Sequence, residues 1–187
     1  MQIHSFIILA SFSLLGISVL LLGFLLRNKS RRFLGKPTIA SIYFYSGKIA
    51  IFTSWILLML KAIFPKIGYI QVPPILSWIA TLLMCLGSFI MICSFFSLGT
   101  SLKVGLPDEE TILKTSGLYR FSRNPLYLGV FLINIASCLY FPDLLNIACS
   151  VYGIIMHHRI TMGEEKFLEN RFGEEWRKYK LRVRRYL

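Results

Sequence analysis

Residues 114–129 bring two arginines, an asparagine and two tyrosines to the start of a long apolar run. Pro125 restricts its own backbone and biases Asn124 toward an extended conformation, so it is well placed to begin a helix. Arg123 and Asn124 would then lie beside the unpaired N–H groups at the positive end of that helix, which attract carboxylate or phosphate groups. Tyr127 would place its hydroxyl in the same zone. The segment predicts a ligand site, although these residue types are also typical of an interfacial belt that only anchors a membrane helix.

Two adjacent carboxylates, Glu164 and Glu165, closely follow the last apolar run of the chain. Acidic residues in such a place are typical of a helix start, and they would also suit an ion pair with Arg159. If they face the same pocket as Arg123, one of the two glutamates would instead bind the ammonium group of a ligand. Both interpretations are open from the residues alone.

Beyond the glutamates, apolar side chains recur at helical spacing through a highly charged segment. Intervals of four, four and three residues place them on one face of a helix, as expected for a helix along a membrane surface. These residues are Leu168, Phe172, Trp176 and Tyr179. Gly173 is predicted to end one helix, and Glu174 and Glu175 suit the start of another.

The elements that must position these side chains are apolar runs. Apolar residues make up 55% of the chain, charged residues 16%, and the mean hydropathy is +0.62, whereas soluble domains average about 25% charged residues. The apolar runs are residues 3–26, 39–64, 73–98, 125–141 and 144–157. The first has basic residues after it and none before it, so it is predicted to be an anchor and not a cleaved leader. The last two are short and predict a tilted helical hairpin.

The fold class is therefore an all-α integral membrane protein with about five transmembrane helices and cytoplasmic interfacial helices at the C-terminus. Residues 1–98 would form three transmembrane helices, and residues 99–187 would form the catalytic part of the same single domain. Basic residues number five in residues 27–36, four in 99–124 and nine from residue 159 onward. Five crossings put all three groups on one side, which the positive-inside rule identifies as cytoplasmic, with the N-terminus outside.

The remaining charged and metal-binding residue types suggest no other class of site. A net charge of +12 would suit nucleic acid in a soluble protein, but here it flanks apolar runs and is assigned to topology and anionic lipid. The histidines His157 and His158 lack a third ligand at metal-site spacing, and no protein partner is indicated. Lys48 lies within the second run. Its side chain is predicted either to reach the headgroups beside Tyr43 and Tyr45 or to face an internal polar cavity.

The two polar segments together resemble the isoprenylcysteine carboxyl methyltransferase and phospholipid methyltransferase families of membrane enzymes. The family pattern is T-S-G-x-Y, then R-H-P-x-Y-x-G, then an E-E pair, then F-G-x-x-[WY]-x-x-Y. This chain matches it at residues 115–119, 123–129, 164–165 and 172–179. The resemblance covers roughly residues 105–185, and it is the order and spacing of these short motifs that make it specific.

The resemblance implies S-adenosylmethionine as cofactor and a lipid or lipidated substrate, most of all an isoprenylcysteine-like carboxylate, that enters from the bilayer. The implied cofactor-binding residues are Thr111, Ile112, Leu113, Lys114, Tyr119, Asn124, Pro125, Tyr127 and Glu164. The implied catalytic residues are Arg123, Asn124, Tyr127 and Glu164. Glu164 would meet the cofactor's amino group, and Arg159 is the nearest candidate for a substrate-binding arginine.

Asn124 departs from the pattern, because histidine is usual at this position. Asparagine does not titrate near neutral pH, but a carboxylate acceptor is already ionised there and needs no base. An amine acceptor would first have to lose a proton, so carboxylate is slightly favoured. The alternatives are an NADPH-dependent sterol reductase, whose usual asparagine and acidic residue are here Leu126 and Val130, and a non-catalytic membrane protein.

Overall fold

The computed structural model describes residues 2–26, 36–98 and 112–187, and every long element in these ranges is a helix. In chain order the helices are α1 (Ile3–Leu26), α2 (Ser41–Ile63), α3 (Pro74–Leu98), a 3-10 turn (Gly117–Arg120), α4 (Pro125–Tyr140) and α5 (Leu144–Arg182). Residues 27–35 and 99–111 lie outside the described ranges. They include most of the first basic loop and the predicted cofactor residue Thr111.

Three of the described helices, α1, α2 and α3, are long and apolar enough to cross a membrane. Helix α4 is apolar but shorter, with 16 residues, and begins at Pro125 as the sequence predicted. Helix α5 continues for 39 residues without a break at His157, so the predicted fifth run and the charged segment after it form one element. The predicted helix end at Gly173 is confirmed, since this residue has φ 50° and ψ −119° and interrupts α5.

Helices α3 and α4 cross at Gly87 and Gly129, where their backbones touch. A Cβ atom on Gly87 would lie 2.8 Å from the carbonyl oxygen of Gly129, and one on Gly129 would lie 2.7 Å from that of Gly87. Only glycine allows this approach, which is a common way for helices to pack in a membrane. Because Gly129 ends the 123–129 motif, the crossing fixes the start of α4 against α3.

Helices α2 and α5 also pack through small residues. The backbone of Gly47 lies against Met156, and that of Gly153 lies against Ile51. Deeper along the same helices a buried polar network joins α2, α4 and α5, with the hydroxyl of Ser54 bonded to two other serines. Its members are Ser54, Ser137, Ser150 and Asn146. Hydrogen bonds of this kind hold helices together where no water is available.

The helix ends fall into two groups. At one end, called the site end below, Thr38 before α2 contacts Gly163 of α5, and Ser97 of α3 lies close to Gly117. At the opposite end, His4 of α1 has its ring 6.0 Å from that of Trp78 and 5.6 Å from that of Tyr140. The described parts of the three basic segments therefore lie together at the site end.

Candidate active site

Glu164 and Tyr127 form the polar centre of the site end. The Tyr127 hydroxyl, in the first turn of α4, donates a hydrogen bond of 2.8 Å to Oε1 of Glu164 in α5. Both side chains are partly buried and keep some accessible surface. The second oxygen of Glu164, Oε2, accepts no hydrogen bond from the residues that the structure describes. This carboxylate thus has one oxygen fixed and one free for a ligand.

The neighbouring carboxylate of Glu165 faces different partners and is only 4% exposed. Its Oε1 accepts hydrogen bonds from Nε of Arg123 at 3.1 Å and from Nδ2 of Asn124 at 2.8 Å. Its Oε2 accepts hydrogen bonds of 3.1 and 3.0 Å from Arg185 and one of 3.2 Å from Nη2 of Arg123. Two residues predicted to bind ligand, Arg123 and Asn124, therefore donate to a buried structural carboxylate.

The Arg123 guanidinium donates four hydrogen bonds within the protein. Its Nη1 donates to the backbone oxygens of Lys180 at 3.1 Å and of Val183 at 2.7 Å, besides its two bonds to Glu165. The group also lies 5.8 Å from the ring of Trp176, which is 1% exposed. The arginine predicted to bind an anion is thus held by Glu165 and by the C-terminal segment, and this geometry suits it to position α4 against that segment.

The last residues of the chain return to the 123–129 motif. The backbone N–H of Arg123 donates to the carbonyl oxygen of Arg184 at 2.9 Å, and that of Asn124 donates to the carbonyl oxygen of Arg185 at 3.1 Å. Tyr186 then bonds through its hydroxyl to Nδ1 of His158 at 2.9 Å. The sequence patterns do not predict this contact, because an isolated pair of backbone segments leaves no repeating pattern in the sequence.

Tyr119 lies in the 3-10 turn that precedes the motif and is buried. Its carbonyl oxygen accepts a hydrogen bond of 2.6 Å from the hydroxyl of Tyr179. Burial, with smaller effects from Tyr179 and Glu164, raises the pKa of Tyr119. The sequence predicts Trp176 and Tyr179 on a helix face along the membrane surface. In the structure both are buried against the site, with Trp176 beside Arg123 and Tyr179 bonded to Tyr119. The predicted cofactor residues Ile112, Leu113 and Lys114 lie just before the turn, with Ile112 exposed.

The two glutamates differ in their ionisation as well as their contacts. Desolvation by the surrounding protein raises the pKa of Glu164 to about 7, against the lowering effects of the Tyr127 hydrogen bond and the Lys48 charge. Burial also disfavours the charge of Glu165, but hydrogen bonds and charges from Arg185 and Arg123 outweigh it and lower the pKa. Glu165 is therefore ionised, whereas Glu164 is partly protonated near neutral pH.

Two further residues approach the site from the apolar side. The ring of His157 lies 6.0 Å from the ring of Tyr127, and its Nδ1 bonds to the Gly153 carbonyl oxygen at 2.8 Å. Lys48 of α2 is close enough for its charge to act on both Glu164 and His157. The sequence offered a weak signal for Lys48, since it is a cation inside an apolar run. In the structure Lys48 is half-buried, and both predicted orientations of its side chain stay predictions.

Arg159, predicted to bind substrate, is not brought to Glu164 in this structure. It is exposed and shares the outer stripe of α5 with Ile155 and Met162, each about half exposed. Residues at intervals of three and four share a helix face, whereas the interval from Arg159 to Glu164 is five. No group of three or more potential metal ligands occurs among the described residues.

The fold and its charges define a helical membrane protein with a polar site at one end of the helices. The family model of phospholipid methyltransferases matches residues 75–175. The chain belongs to this family of integral membrane methyltransferases, which includes the isoprenylcysteine carboxyl methyltransferases. No curated protein matches the chain significantly. The match covers α3, α4 and the part of α5 that contains the glutamate pair.

Methyltransferases of this family generally use S-adenosylmethionine. That molecule carries an ammonium group and a positively charged sulfur, so it needs an acidic partner in a partly dehydrated place. Glu164 fits this need, because its Oε2 is free of hydrogen bonds within the described ranges and Tyr127 orients its other oxygen. The residues present are therefore compatible with the cofactor that the family generally uses.

Proposed function

We propose that this protein transfers a methyl group from S-adenosylmethionine to a lipid or lipidated acceptor, most of all to a carboxylate of the isoprenylcysteine type. The observation that carries the proposal is the Glu164 carboxylate of α5, of which Tyr127 at the start of α4 orients one oxygen while the other accepts no hydrogen bond from the described residues. A carboxylate of this kind suits the cofactor's ammonium group and is the feature that the reductase alternative does not need. The family assignment supports the same reaction class.

The contacts divide the predicted catalytic residues by role. Glu164 and Tyr127 would touch the cofactor, and Tyr119 would lie beside them. Arg123 would act as a positioning residue, because its donors are taken by Glu165 and two backbone carbonyl groups. Asn124 would position the motif in the same way, through its bonds to Glu165 and Arg185.

Little acid–base chemistry is required of these side chains. When bound, S-adenosylmethionine supplies an electrophilic methyl group on a positively charged sulfur. The protein's own task is to hold this group in line with the acceptor and to exclude water, and such positioning can supply most of the catalysis. An ionised carboxylate acceptor suits a site in which Asn124 replaces the usual histidine.

The proposed membrane arrangement has five crossings, with α4 and the first part of α5 as the last two. Asn146 near the start of α5 bonds to the Ser137 carbonyl oxygen near the end of α4 at 3.0 Å, whereas Glu164 meets Tyr127 at the other end of α4. The two helices therefore run side by side in opposite directions, as a pair of crossings requires. The site end, which carries the basic segments, would face the cytoplasm.

Cofactor binding and product chemistry together test the proposal. Calorimetry on the detergent-solubilised protein should show binding of S-adenosylhomocysteine and none of NADPH. In a membrane assay with S-adenosylmethionine labelled in its methyl group, the lipid product should lose its label as methanol in mild base, since a methyl ester is hydrolysed and an N-methyl group is not. NADPH binding without S-adenosylhomocysteine binding would replace the proposal with the reductase alternative. A base-stable product would move the acceptor to an amine.

A further inference from the structure

Lys48 lies on the face of α2 that packs against α5. Its neighbour Gly47 is buried against Met156, and Phe44, one turn earlier, is 2% exposed. Seven residues separate Lys48 from Ser41 at the start of α2, or roughly 10 Å along the helix. The lysine is therefore half-buried beside α5, roughly 10 Å along α2 from its first residue.

The ammonium group of Lys48 points toward the site end. Its Nζ lies 4.6 Å from the centroid of the Phe44 ring, as expected for a helical side chain that leans toward the helix N-terminus. Its charge acts on Glu164 and His157. No oxygen of the described residues accepts a hydrogen bond from it, and it forms no ion pair with Glu164 within 4 Å.

Lys61 in the same helix shows how a structural lysine is accommodated. Its Nζ donates to the carbonyl oxygen of Pro65 at 2.7 Å and also to that of Ile67, in the turn that ends α2. Lys61 thus has two acceptors in its own chain, whereas none of the residues that the structure describes supplies one to Lys48. A cation at such a depth is costly without a partner, and this difference indicates that a ligand completes the surroundings of Lys48.

We propose that Lys48 binds the anionic group of the methyl acceptor, a carboxylate or phosphate attached to a hydrocarbon chain. The proposal rests on the proposed function, in which Glu164 holds the cofactor's ammonium group. Lys48 then provides the opposite charge on the bilayer side of Glu164 and Tyr127. Its depth favours an anion carried on an apolar chain over a free one, because only the former reaches it without leaving the membrane.

The test compares anionic lipids with neutral analogues that carry the same hydrocarbon chains. The first pair is an S-prenylated N-acetylcysteine and its carboxamide, and the second pair is phosphatidic acid and diacylglycerol with the same chains. Dissociation constants are measured in detergent, with and without S-adenosylhomocysteine. The proteins are the wild type, Lys48→Met, Lys48→Arg and the control Lys61→Met.

The wild type is expected to bind at least one anionic probe about tenfold more tightly than its neutral analogue, as truncation of charge pairs indicates. Lys48→Met should abolish this preference, whereas Lys48→Arg and Lys61→Met should retain it. A preference in the first pair identifies a prenylated carboxylate as the source of the anion, and one in the second pair identifies a phospholipid.

Equal binding of anionic and neutral probes by the wild type, or an unchanged preference in Lys48→Met, would overturn the proposal. An equal loss of affinity for the probe and for S-adenosylhomocysteine in Lys48→Met would also overturn it. That result would mean that Lys48 only keeps Glu164 in place and does not bind the acceptor. Melting temperatures report whether each variant is folded. Failure of the wild type to bind S-adenosylhomocysteine counts against the proposed function alone, because the anion preference is also measured in its absence.

Discussion

The hydroxyl of Tyr127 donates a hydrogen bond of 2.8 Å to Oε1 of Glu164 and so links the first turn of α4 to α5. The next residue, Glu165, is turned away from this bond and is nearly enclosed by Arg123, Asn124 and Arg185. Adjacent side chains on a helix diverge by about 100°, which separates the pair into one group available to a ligand and one that holds the motif in place.

Substitution of Glu164 by glutamine should weaken the binding of S-adenosylhomocysteine. If Glu164 pairs with the ligand's ammonium group, loss of one member of the charge pair costs roughly 2–5 kcal/mol. We therefore expect the dissociation constant from calorimetry to rise about thirtyfold or more.

The matched control for this substitution is Glu175→Gln. Glu175 is an exposed carboxylate on the same helix and has no ion pair or hydrogen bond within the described part of the chain, so its removal should leave the affinity unchanged. Equal and small effects at Glu164 and Glu175 would remove Glu164 from the site.

Glu165→Gln should instead destabilise the protein. Its carboxylate is buried between two arginines, and removal of one partner from a buried ion pair typically costs 3–5 kcal/mol. Because glutamine keeps part of the hydrogen bonding, we expect a loss of about 3 kcal/mol in the free energy of unfolding. Denaturant unfolding in detergent micelles measures this quantity.

The control for the stability measurement is Glu174→Gln. Glu174 pairs with Arg177 in an exposed position, where solvent screens the charges and the pair contributes little to stability. A similar small loss at Glu165 would contradict the buried ionic network described above.

The affinity for S-adenosylhomocysteine should depend on pH through Glu164. Desolvation raises the pKa of this residue to about 7, and only the ionised form attracts an ammonium group. The ionised fraction therefore falls as pH decreases, and binding at pH 6 should be about tenfold weaker than at pH 8. Calorimetry across this range provides the measurement. In Glu164→Gln the affinity should stay constant between these pH values, and an unchanged slope in that variant would assign the titration to another group.

Cysteine labelling should place the site end in the cytoplasm. In a background without the four native cysteines, Cys85, Cys93, Cys138 and Cys149, a cysteine at Ser116 should react only with a reagent supplied from the cytoplasmic side. A cysteine at Lys66, which is exposed in the turn at the opposite end, should react only from outside. Labelling of Ser116 from outside would exclude the proposed topology.

Gly129→Ala should disturb the crossing of α3 and α4. The new Cβ would lie 2.7 Å from the Gly87 carbonyl oxygen and 2.5 Å from Met91 Cγ, and overpacking of this kind costs about 1–3 kcal/mol. The melting temperature in detergent should fall. Gly16→Ala is the control, because nothing lies within 4 Å of a Cβ at Gly16, and it should cause no loss. An equal effect at both glycines would show that the crossing tolerates a methyl group.

Several features of the fold follow from the sequence alone, because each depends on neighbouring residues. Long apolar runs predict the three long helices, and Pro125 predicts the start of α4 through its fixed backbone angle. Gly173 predicts the helix interruption, since its positive φ suits glycine. The motifs predict the family, because their order along the chain is itself a property of the sequence.

Other features were decided only when distant parts of the chain came together. Sequence spacing predicts that Glu164 and Glu165 diverge, but not which of them meets Tyr127 and which is enclosed by arginines. The return of Arg184 and Arg185 to the motif and the position of Lys48 beside α5 arise from contacts between distant parts of the chain. The repeating spacing of residues along one helix carries no information about the side chains that face it from another helix. The sequence therefore determined the helices and the candidate residues, and the tertiary structure determined their partners and thus their roles.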